Sequence, residues 1–148
     1  MSAPTRSEPP PVVYRFAAPP DAPLLAGMNQ QLIRDEGHRN RMSVAELEDR
    51  MRGWLEGEYR AVIFDWNGRP AGYALYREEP EYAYLRQFFV QSDCRRKGIG
   101  RAAVQWLLTN VWEDAARVRL EVLAGNTSGI AFWYALGFRD YALTLERQ

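Results

Sequence analysis

The spacing of hydrophobic residues predicts that strands and helices alternate along this chain. Apolar side chains recur every three or four positions over residues 22–35, 44–55 and 103–111, as in helices with one buried face. Aromatic and β-branched residues cluster in shorter runs, which are typical of strands. The predicted strands cover residues 12–16, 59–66, 70–77, 82–90 and 118–123.

Polar signals mark where some of these elements begin and end. Ser43 and Glu46 have the spacing of a capping box, so a helix is expected to begin there. Asn67-Gly68 lies between two predicted strands and is a strong signal for a tight β-hairpin. With a further helix and strand at the end, the expected order is β-α-α-β-β-β-α-β-α-β. We expect a single domain over residues 12–148 after a disordered lead-in at residues 1–11.

Composition and charge narrow the function classes. The 148 residues fit one domain. The formal net charge is zero, so the chain has no overall positive charge that would attract nucleic acid or an anionic membrane. The single cysteine, Cys94, excludes an internal disulfide and is typical of a reducing cytoplasm. No apolar run approaches the roughly 20 residues of a membrane span. These features favour a cytoplasmic protein that binds neither nucleic acid nor membrane.

The segment from Val90 to Arg101 has the chemistry of a phosphate-binding turn. It connects a predicted strand to the start of a predicted helix, where backbone N–H groups have no partners within the helix and the helix dipole is positive. Glycines at 98 and 100 allow the backbone to approach an anion closely. Four cations add positive charge, namely Arg95, Arg96, Lys97 and Arg101.

Two motifs in this order resemble the GCN5-related N-acetyltransferases. Arg95-x-x-Gly98-x-Gly100, five residues after Val90, is similar to the loop with which that family holds the pyrophosphate of coenzyme A. Downstream, Asn126 follows a predicted strand, and Gly137-Phe138 comes eleven and twelve residues later. This is similar to the family's strand, asparagine, short helix, Gly-Phe and final strand.

The resemblance implies an α/β (α+β) fold with one mixed, mostly antiparallel splayed sheet flanked by helices. It implies acetyl transfer from acetyl-coenzyme A to an amine of a small molecule or peptide, without a metal, and it is compatible with a homodimer. In the family, the pantetheine arm of the cofactor lies where two strands splay apart and pairs with the backbone. The cofactor-binding residues implied here are Phe88, Phe89, Val90, Arg95, Arg96, Lys97, Gly98, Ile99, Gly100, Arg101, Asn126 and Trp133.

The residues for proton transfer depart from the family pattern. Many members carry a tyrosine seven residues after the motif asparagine, which protonates the leaving thiolate, but Trp133 occupies that position here and Tyr134 follows it. The strand positions at which some members place an acid are Tyr84 and Arg86. The catalytic residues therefore remain open. The candidates are Glu36 and His38 in the loop after the first helix, Glu121, and Tyr134.

Several alternatives also follow from the sequence. Gly98-x-Gly100-x-x-Ala103 matches a dinucleotide-binding fingerprint, but too few strands follow it for such a domain. A non-enzymatic domain that binds acyl-coenzyme A would need no acid or base. An alternative role for Asn126 is a turn or helix cap, and an alternative role for Trp133 is packing. Cys94 lies beside cations that would lower its pKa, but a cysteine nucleophile would also need His38 nearby. Acidic residues at 35, 36, 78, 79 and 81 hint at a cationic acceptor.

Overall fold

The structure is a computed structural model that describes residues 11–37 and 39–148. Its strands are β1 (Val12–Phe16), β2 (Tyr59–Trp66), β3 (Arg69–Glu78), β4 (Ala83–Val90) and β5 (Val118–Leu120). Its α-helices are α1 (Ala22–Asp35), α2 (Val44–Glu56), α3 (Ile99–Asn110) and α4 (Thr127–Ala135). Short 3₁₀ helices precede α1 and follow β4, at Pro19–Asp21 and Ser92–Cys94.

The five strands form one mixed sheet in the order β1-β2-β3-β4-β5. The first four are antiparallel to their neighbours, whereas β5 is parallel to β4. β2 and β3 are joined at Asn67 and Gly68, which both have positive φ (54° and 77°), as a type I′ hairpin turn requires. The mixed, mostly antiparallel sheet with flanking helices confirms the fold class predicted from the sequence.

Each face of the sheet is covered by a different set of helices. Successive β2 residues point to opposite faces, so Ile63 packs with Leu25 and Met51 under α1 and α2, while Val62 packs with Leu107 of α3. All of these side chains are fully buried. We call the two sides the α1/α2 face and the α3 face.

Helix α2 begins at the predicted capping box, and only some of the apolar residues that recur over residues 44–55 are buried. The Ser43 hydroxyl accepts a hydrogen bond from the Glu46 N–H (3.1 Å), and the Glu46 carboxylate accepts one from the Ser43 N–H (3.0 Å). Within the helix, only Leu47 and Met51 are buried. Val44, in the first turn, is 40% exposed.

The predicted last strand is wrong for the described chain, and β5 is shorter than predicted. Residues 138–148 contain no strand, and β5 ends at Leu120 rather than at residue 123. Leu143 and Leu145 are 85% and 88% exposed, so this segment buries no apolar face against the sheet. A side-chain ion pair between Arg39 and Glu146 (2.7 Å) is one of its few contacts. Residues 1–10 of the predicted disordered lead-in lie outside the described residues.

β3 and β4 come unusually close at Gly72. Gly72 lies opposite Val90, and a Cβ atom at this position would be 2.0 Å from the carbonyl oxygen of Phe89. Only glycine allows such an approach between the two backbones. This contact fixes the position of the last residues of β4, where the candidate site begins.

Candidate active site

β4 and β5 separate after three paired residues. Their last pair is Leu85 with Leu120, so residues 86–90 of β4 have no strand on that side. The divergence begins at a β-bulge, because Arg86 has no partner in the register between β3 and β4. An extra residue bends the strand that carries it and increases its twist, which accounts for the separation. The result is a gap between β4 and β5.

Backbone polar groups of β4 face this gap. The N–H of Gln91 donates to the Ala71 carbonyl of β3 (2.7 Å). Since successive residues of a strand direct their N–H and C=O groups to alternate sides, those of Val90 point away from β3 and into the gap. The Val90 carbonyl accepts a hydrogen bond from Arg95 Nε (2.9 Å). Because of the same alternation, the Val90 N–H points to the place where an extended ligand would pair with β4.

The start of α3 follows β4 after a short 3₁₀ helix and a turn, and its first backbone amides have no partner within the helix. Gly98 precedes the helix with a φ of 78°, a left-handed conformation that favours glycine. Ala102 is the first residue whose N–H bonds back into the helix, to the Gly98 carbonyl (3.0 Å). The side chain of Ile99 is buried with Ala71 and Cys94 and anchors this end of the helix. The amides of residues 99–101 therefore have no partner within the helix, which is the arrangement that can hold an anion at a helix N-terminus.

The four cations of this segment have different surroundings. All are exposed, and within residues 11–37 and 39–148 neither Arg96 nor Arg101 has an ion pair. Lys97 Nζ lies 5.3 Å from the centre of the Trp66 ring. Arg95, by contrast, also donates to the carboxylate of Asp35 (2.6 Å). Arg95 thus ties the end of α1 to the end of β4, a contact that the sequence did not reveal.

Aromatic side chains cover the α3 face of the gap. The Phe88 ring lies 6.0 Å from Phe132 and 5.2 Å from Trp133, and Trp133 contacts Phe138 at 5.1 Å. The edge of Phe132 is 3.4 Å from where a Cβ on Gly100 would lie. Trp133 is therefore a packing residue of this cluster. In contrast, the Phe89 side chain is buried on the α1/α2 face, so only its backbone is near the gap.

Asn126 caps helix α4. Its side-chain oxygen accepts hydrogen bonds from the Gly129 N–H (3.0 Å) and the Ser128 hydroxyl (3.4 Å). This is the helix-cap arrangement that the sequence left open as an alternative. Its side-chain NH₂ group donates to none of the described residues, and it borders a cleft of about 380 Å³.

Comparison with known proteins identifies the family. Residues 26–138, more than half of the chain, match the family model described as the Acetyltransferase (GNAT) family. The chain belongs to this family.

Relatives and solved structures agree with the assignment. The chain is 33% identical over 75 residues to the [Ribosomal protein bS18]-alanine N-acetyltransferase of Escherichia coli (strain K12), covering 50% of this chain and 51% of that protein. The chain thus spans about half or less of the length of the curated relatives it matches. A possible acetyltransferase from Clostridium difficile 630 superimposes with a TM-score of 0.78 at 16% identity, over 93% of this chain and 96% of that one.

A further solved structure was determined with a ligand. It is a predicted acetyltransferase from Clostridium acetobutylicum with acetyl-CoA, with a TM-score of 0.73 at 19% identity, over 93% of this chain and 96% of that one. At such identities, the likeness shows the GNAT fold alone.

Two of the acids proposed for proton transfer lie at the ends of α1 and β5. Glu36 lies at the end of α1 and lines the 380 Å³ cleft together with Asn126. Glu121 follows β5 and accepts a hydrogen bond from the Tyr84 hydroxyl (3.0 Å), across the point where β4 and β5 separate. Burial raises the pKa of Tyr84, and the bond to Glu121 raises it further. His38 lies outside the described residues.

Tyr134 points away from the gap. Its hydroxyl donates to Asp140 (2.5 Å), and this bond raises the pKa of the exposed phenol. Both residues line a surface depression of about 550 Å³, which reaches Phe138 of the aromatic cluster but includes no residue of β4. Adjacent residues of a helix are rotated by about 100° from one another, which explains why Trp133 faces the gap and Tyr134 does not.

Cys94 has the opposite environment to the one expected from its cationic neighbours. The thiol is buried, and burial raises its pKa, with a further rise from Asp93. A protonated, buried thiol is a poor nucleophile, so the cysteine alternative is not supported.

Among the described residues, no group of three or more His, Cys, Asp or Glu side chains is arranged to hold a metal ion. No helix in the described part of the chain is both long and apolar enough to cross a bilayer.

On the α1/α2 face, the structure brings together side chains that the sequence did not connect. The bulge places both Arg86 and Gln87 on this face. Arg86 lies over the Trp54 ring (4.7 Å), and Gln87 accepts a hydrogen bond from the buried Tyr73 hydroxyl (2.8 Å). Arg50 of α2 lies over the same Trp54 ring (4.5 Å). A bulge depends on pairing between distant segments, so no local sequence signal could have found this cluster.

Proposed function

We propose that this GNAT domain transfers the acetyl group of acetyl-coenzyme A to a primary amine of a small molecule or peptide. The observation that carries the proposal is the gap between β4 and β5, together with the amides at the start of α3 that have no partner within the helix. The gap offers an extended ligand the backbone of residues 88–90. The α3 start offers a diphosphate the amides of residues 99–101. Such an arrangement fits a cofactor with a peptide-like arm and a pyrophosphate.

We assign the roles in cofactor binding as follows. Arg96, Lys97 and Arg101 provide charge for the pyrophosphate, while Gly98 and Gly100 keep the approach open. Arg95 joins this segment to α1 and β4 through its bonds to Asp35 and Val90. The backbone of Phe88 and Val90 pairs with the pantetheine arm, and the NH₂ group of Asn126 is available to its amides. Trp133 forms one wall, and Ile99 and Phe89 contribute their backbones.

The reaction forms a C–N bond between the amine and the acetyl carbonyl and breaks the C–S bond of the thioester. Bound acetyl-coenzyme A supplies the activated acyl group. The Val90 N–H is directed into the gap, where it would stabilise negative charge developing on the carbonyl oxygen. The amine must lose a proton, for which Glu121 and Glu36 are the candidate acceptors, directly or through water. The thiolate takes up a proton from water, since Tyr134 is bonded to Asp140 outside the gap.

Two measurements test the proposal. A ligand that binds only the native state stabilises it by about 2.7 kcal/mol at a hundredfold excess over its dissociation constant. Thermal melting should therefore show a clear upward shift with acetyl-coenzyme A, and no shift at millimolar ligand would contradict the cofactor assignment. Release of free coenzyme A is then measured over a panel of amines. Binding without turnover on any amine would favour the alternative of a non-enzymatic domain that binds acyl-coenzyme A.

The single cysteine supports a cytoplasmic location for such an enzyme.

A further inference from the structure

Two arginines on the α1/α2 face are held together without a carboxylate. The guanidinium carbons of Arg50 and Arg86 lie 4.5 Å and 4.7 Å from the centre of the same Trp54 ring. In the part of the chain that the structure describes, neither forms an ion pair with Asp or Glu. Two like charges that share one aromatic ring repel each other, and an anion bound between them would relieve this repulsion.

The remaining contacts of the pair leave hydrogen-bonding capacity unused. Arg50 donates one terminal nitrogen to the buried Asn29 (3.2 Å), while its Nε is buried and has no hydrogen-bond partner among the described residues. Arg86 donates to the Tyr59 hydroxyl (3.2 Å). Burial lowers the pKa of Arg50, and the charge of Arg86 lowers it further. A buried N–H donor without a partner is energetically costly, so a ligand oxygen that accepted a hydrogen bond from it would be bound favourably.

Two of the acids that had hinted at a cationic acceptor are paired with other arginines. Asp35 is bonded to Arg95, and Glu79 to Arg77 (2.7 Å). Glu36 also lies near the pair, because its charge and that of Arg50 both act on the pKa of Tyr73. Within the described residues, neither Arg50 nor Arg86 forms an ion pair with any of these acids.

The position of Arg86 connects this pair to the reaction. Arg86 is the bulge residue, immediately after the last pair between β4 and β5, so it lies at the mouth of the gap. It faces α1/α2, the side opposite to the aromatic cluster around Phe88. A molecule that enters from the α1/α2 face would meet the arginines before it reached a thioester in the gap.

We infer that the acceptor amine carries a carboxylate, which Arg50 and Arg86 bind while the amine reaches into the gap. This inference rests on the proposed function, because it concerns the acceptor of that reaction. Arginine matches the planar geometry of a carboxylate and can donate two parallel hydrogen bonds to it. The acceptor is thus an amino acid or a peptide with an acidic residue beside its N-terminal amine.

The test is calorimetric titration of matched acceptor pairs, with and without saturating coenzyme A, so that no acetyl transfer takes place. The first arm compares glycine, β-alanine and 4-aminobutyrate with their carboxamides. The second arm compares the C-terminally amidated dipeptides Ala-Glu and Ala-Gln. In at least one pair, the carboxylate form should bind roughly tenfold more tightly or better, the effect of one charged hydrogen-bonded pair. The arm that shows the preference identifies the source of the carboxylate.

Variants connect this preference to the two arginines. Arg86→Met should remove it, and Arg86 is exposed enough for the variant to fold. Arg50→Met should act in the same way, with thermal melting as a check of its fold. Arg60→Met is the matched control, because Arg60 is an exposed strand arginine beside Tyr59 whose charge acts on Tyr76 of the opposite face. It should leave the preference unchanged.

Two outcomes overturn the inference: equal binding of every carboxylate and its amide, or a preference that survives Arg86→Met. Absence of binding by every compound at millimolar concentration overturns it as well. The proposed function fails separately, if coenzyme A itself does not bind or no amine is acetylated, and a carboxylate preference would still be measurable.

Discussion

Replacing Gly72 with alanine should strongly destabilise the domain and weaken its cofactor site. An ideal Cβ at this position would lie 2.0 Å from the Phe89 carbonyl oxygen and 3.1 Å from Cδ2 of Phe64. Carbon and oxygen atoms in neighbouring strands normally come no closer than about 3.3 Å. The backbone of β4 would therefore have to move by about 1 Å, since a carbonyl group cannot rotate out of the way as a side chain can.

The size of the effect follows from this contact. Extra atoms in a packed interior cost about 1–3 kcal/mol, and occasionally more. Because the obstacle is backbone, we expect a loss near the upper end, about 3 kcal/mol in the free energy of unfolding. For a chain of this length, each kcal/mol changes the melting temperature by about 2–4 °C, so Tm should fall by about 6–12 °C. The displaced residues include Val90, so affinity for acetyl-coenzyme A should also fall.

Gly53→Ala is the matched control. It makes the same chemical change inside α2, where an added Cβ would have no heavy atom within 4 Å. An alanine in a helix interior is favoured over glycine, so this variant should gain about 0.4–1 kcal/mol. Both variants are measured by thermal melting and by calorimetric titration with acetyl-coenzyme A. A Gly72→Ala protein that melts like the wild type and binds the cofactor equally well would refute the reasoning.

Three further predictions concern Gly100 at the start of α3, the phenol of Tyr134 and the helix cap at Glu46. Gly100→Asp should abolish acetyl-coenzyme A binding in calorimetry while the fold is retained, because a carboxylate would repel the pyrophosphate; unchanged affinity would mean that the anion binds elsewhere. Tyr134→Phe should lower kcat by less than about tenfold, since the phenol is bonded to Asp140, whereas loss of a positioned general acid costs about 10²–10⁴-fold. Glu46→Ala should lower Tm at pH 7. The hydrogen bond from the Ser43 backbone lowers the pKa of Glu46, so its contribution is full above the ordinary pKa of 4.5 and is lost as the pH falls through the lowered value. A Glu46→Ala deficit that persisted unchanged at low pH would exclude this origin.

Elements encoded by local chemistry were predictable from the sequence. The hairpin at Asn67-Gly68 and the cap at Ser43 depend on residues within a few positions of each other, and both were confirmed. The start of α3 was predicted for the same reason, since Gly98, Gly100 and the cations on either side of them are close together in the sequence. The phosphate-binding role of this segment remains a prediction.

Features that depend on distant pairing were not predictable. The last strand was part of the element order predicted from periodicity and turn chemistry, and the family pattern also includes it. Strand propensity does not ensure a partner, however, and Leu143 and Leu145 remain exposed. The bond from Arg95 to Asp35 joins residues 60 positions apart, and the arginine pair depends on the bulge at Arg86. Neither carries a local signal. The sequence likewise could not decide whether Asn126 caps a helix, because its oxygen and its NH₂ group can serve different partners.

Because Arg86 has no partner in β3, the face of the sheet to which each later β4 side chain points depends on the number of residues in this strand. Side chains alternate between faces along a regular strand, and a change of one residue exchanges them. Deleting Arg86 would restore the regular register. Gln87 would then take the place of Arg86 on the α1/α2 face, and we expect the bend of β4 to be smaller. The number of residues between Leu85 and Phe88, and not only their identity, should therefore affect how far β4 and β5 separate.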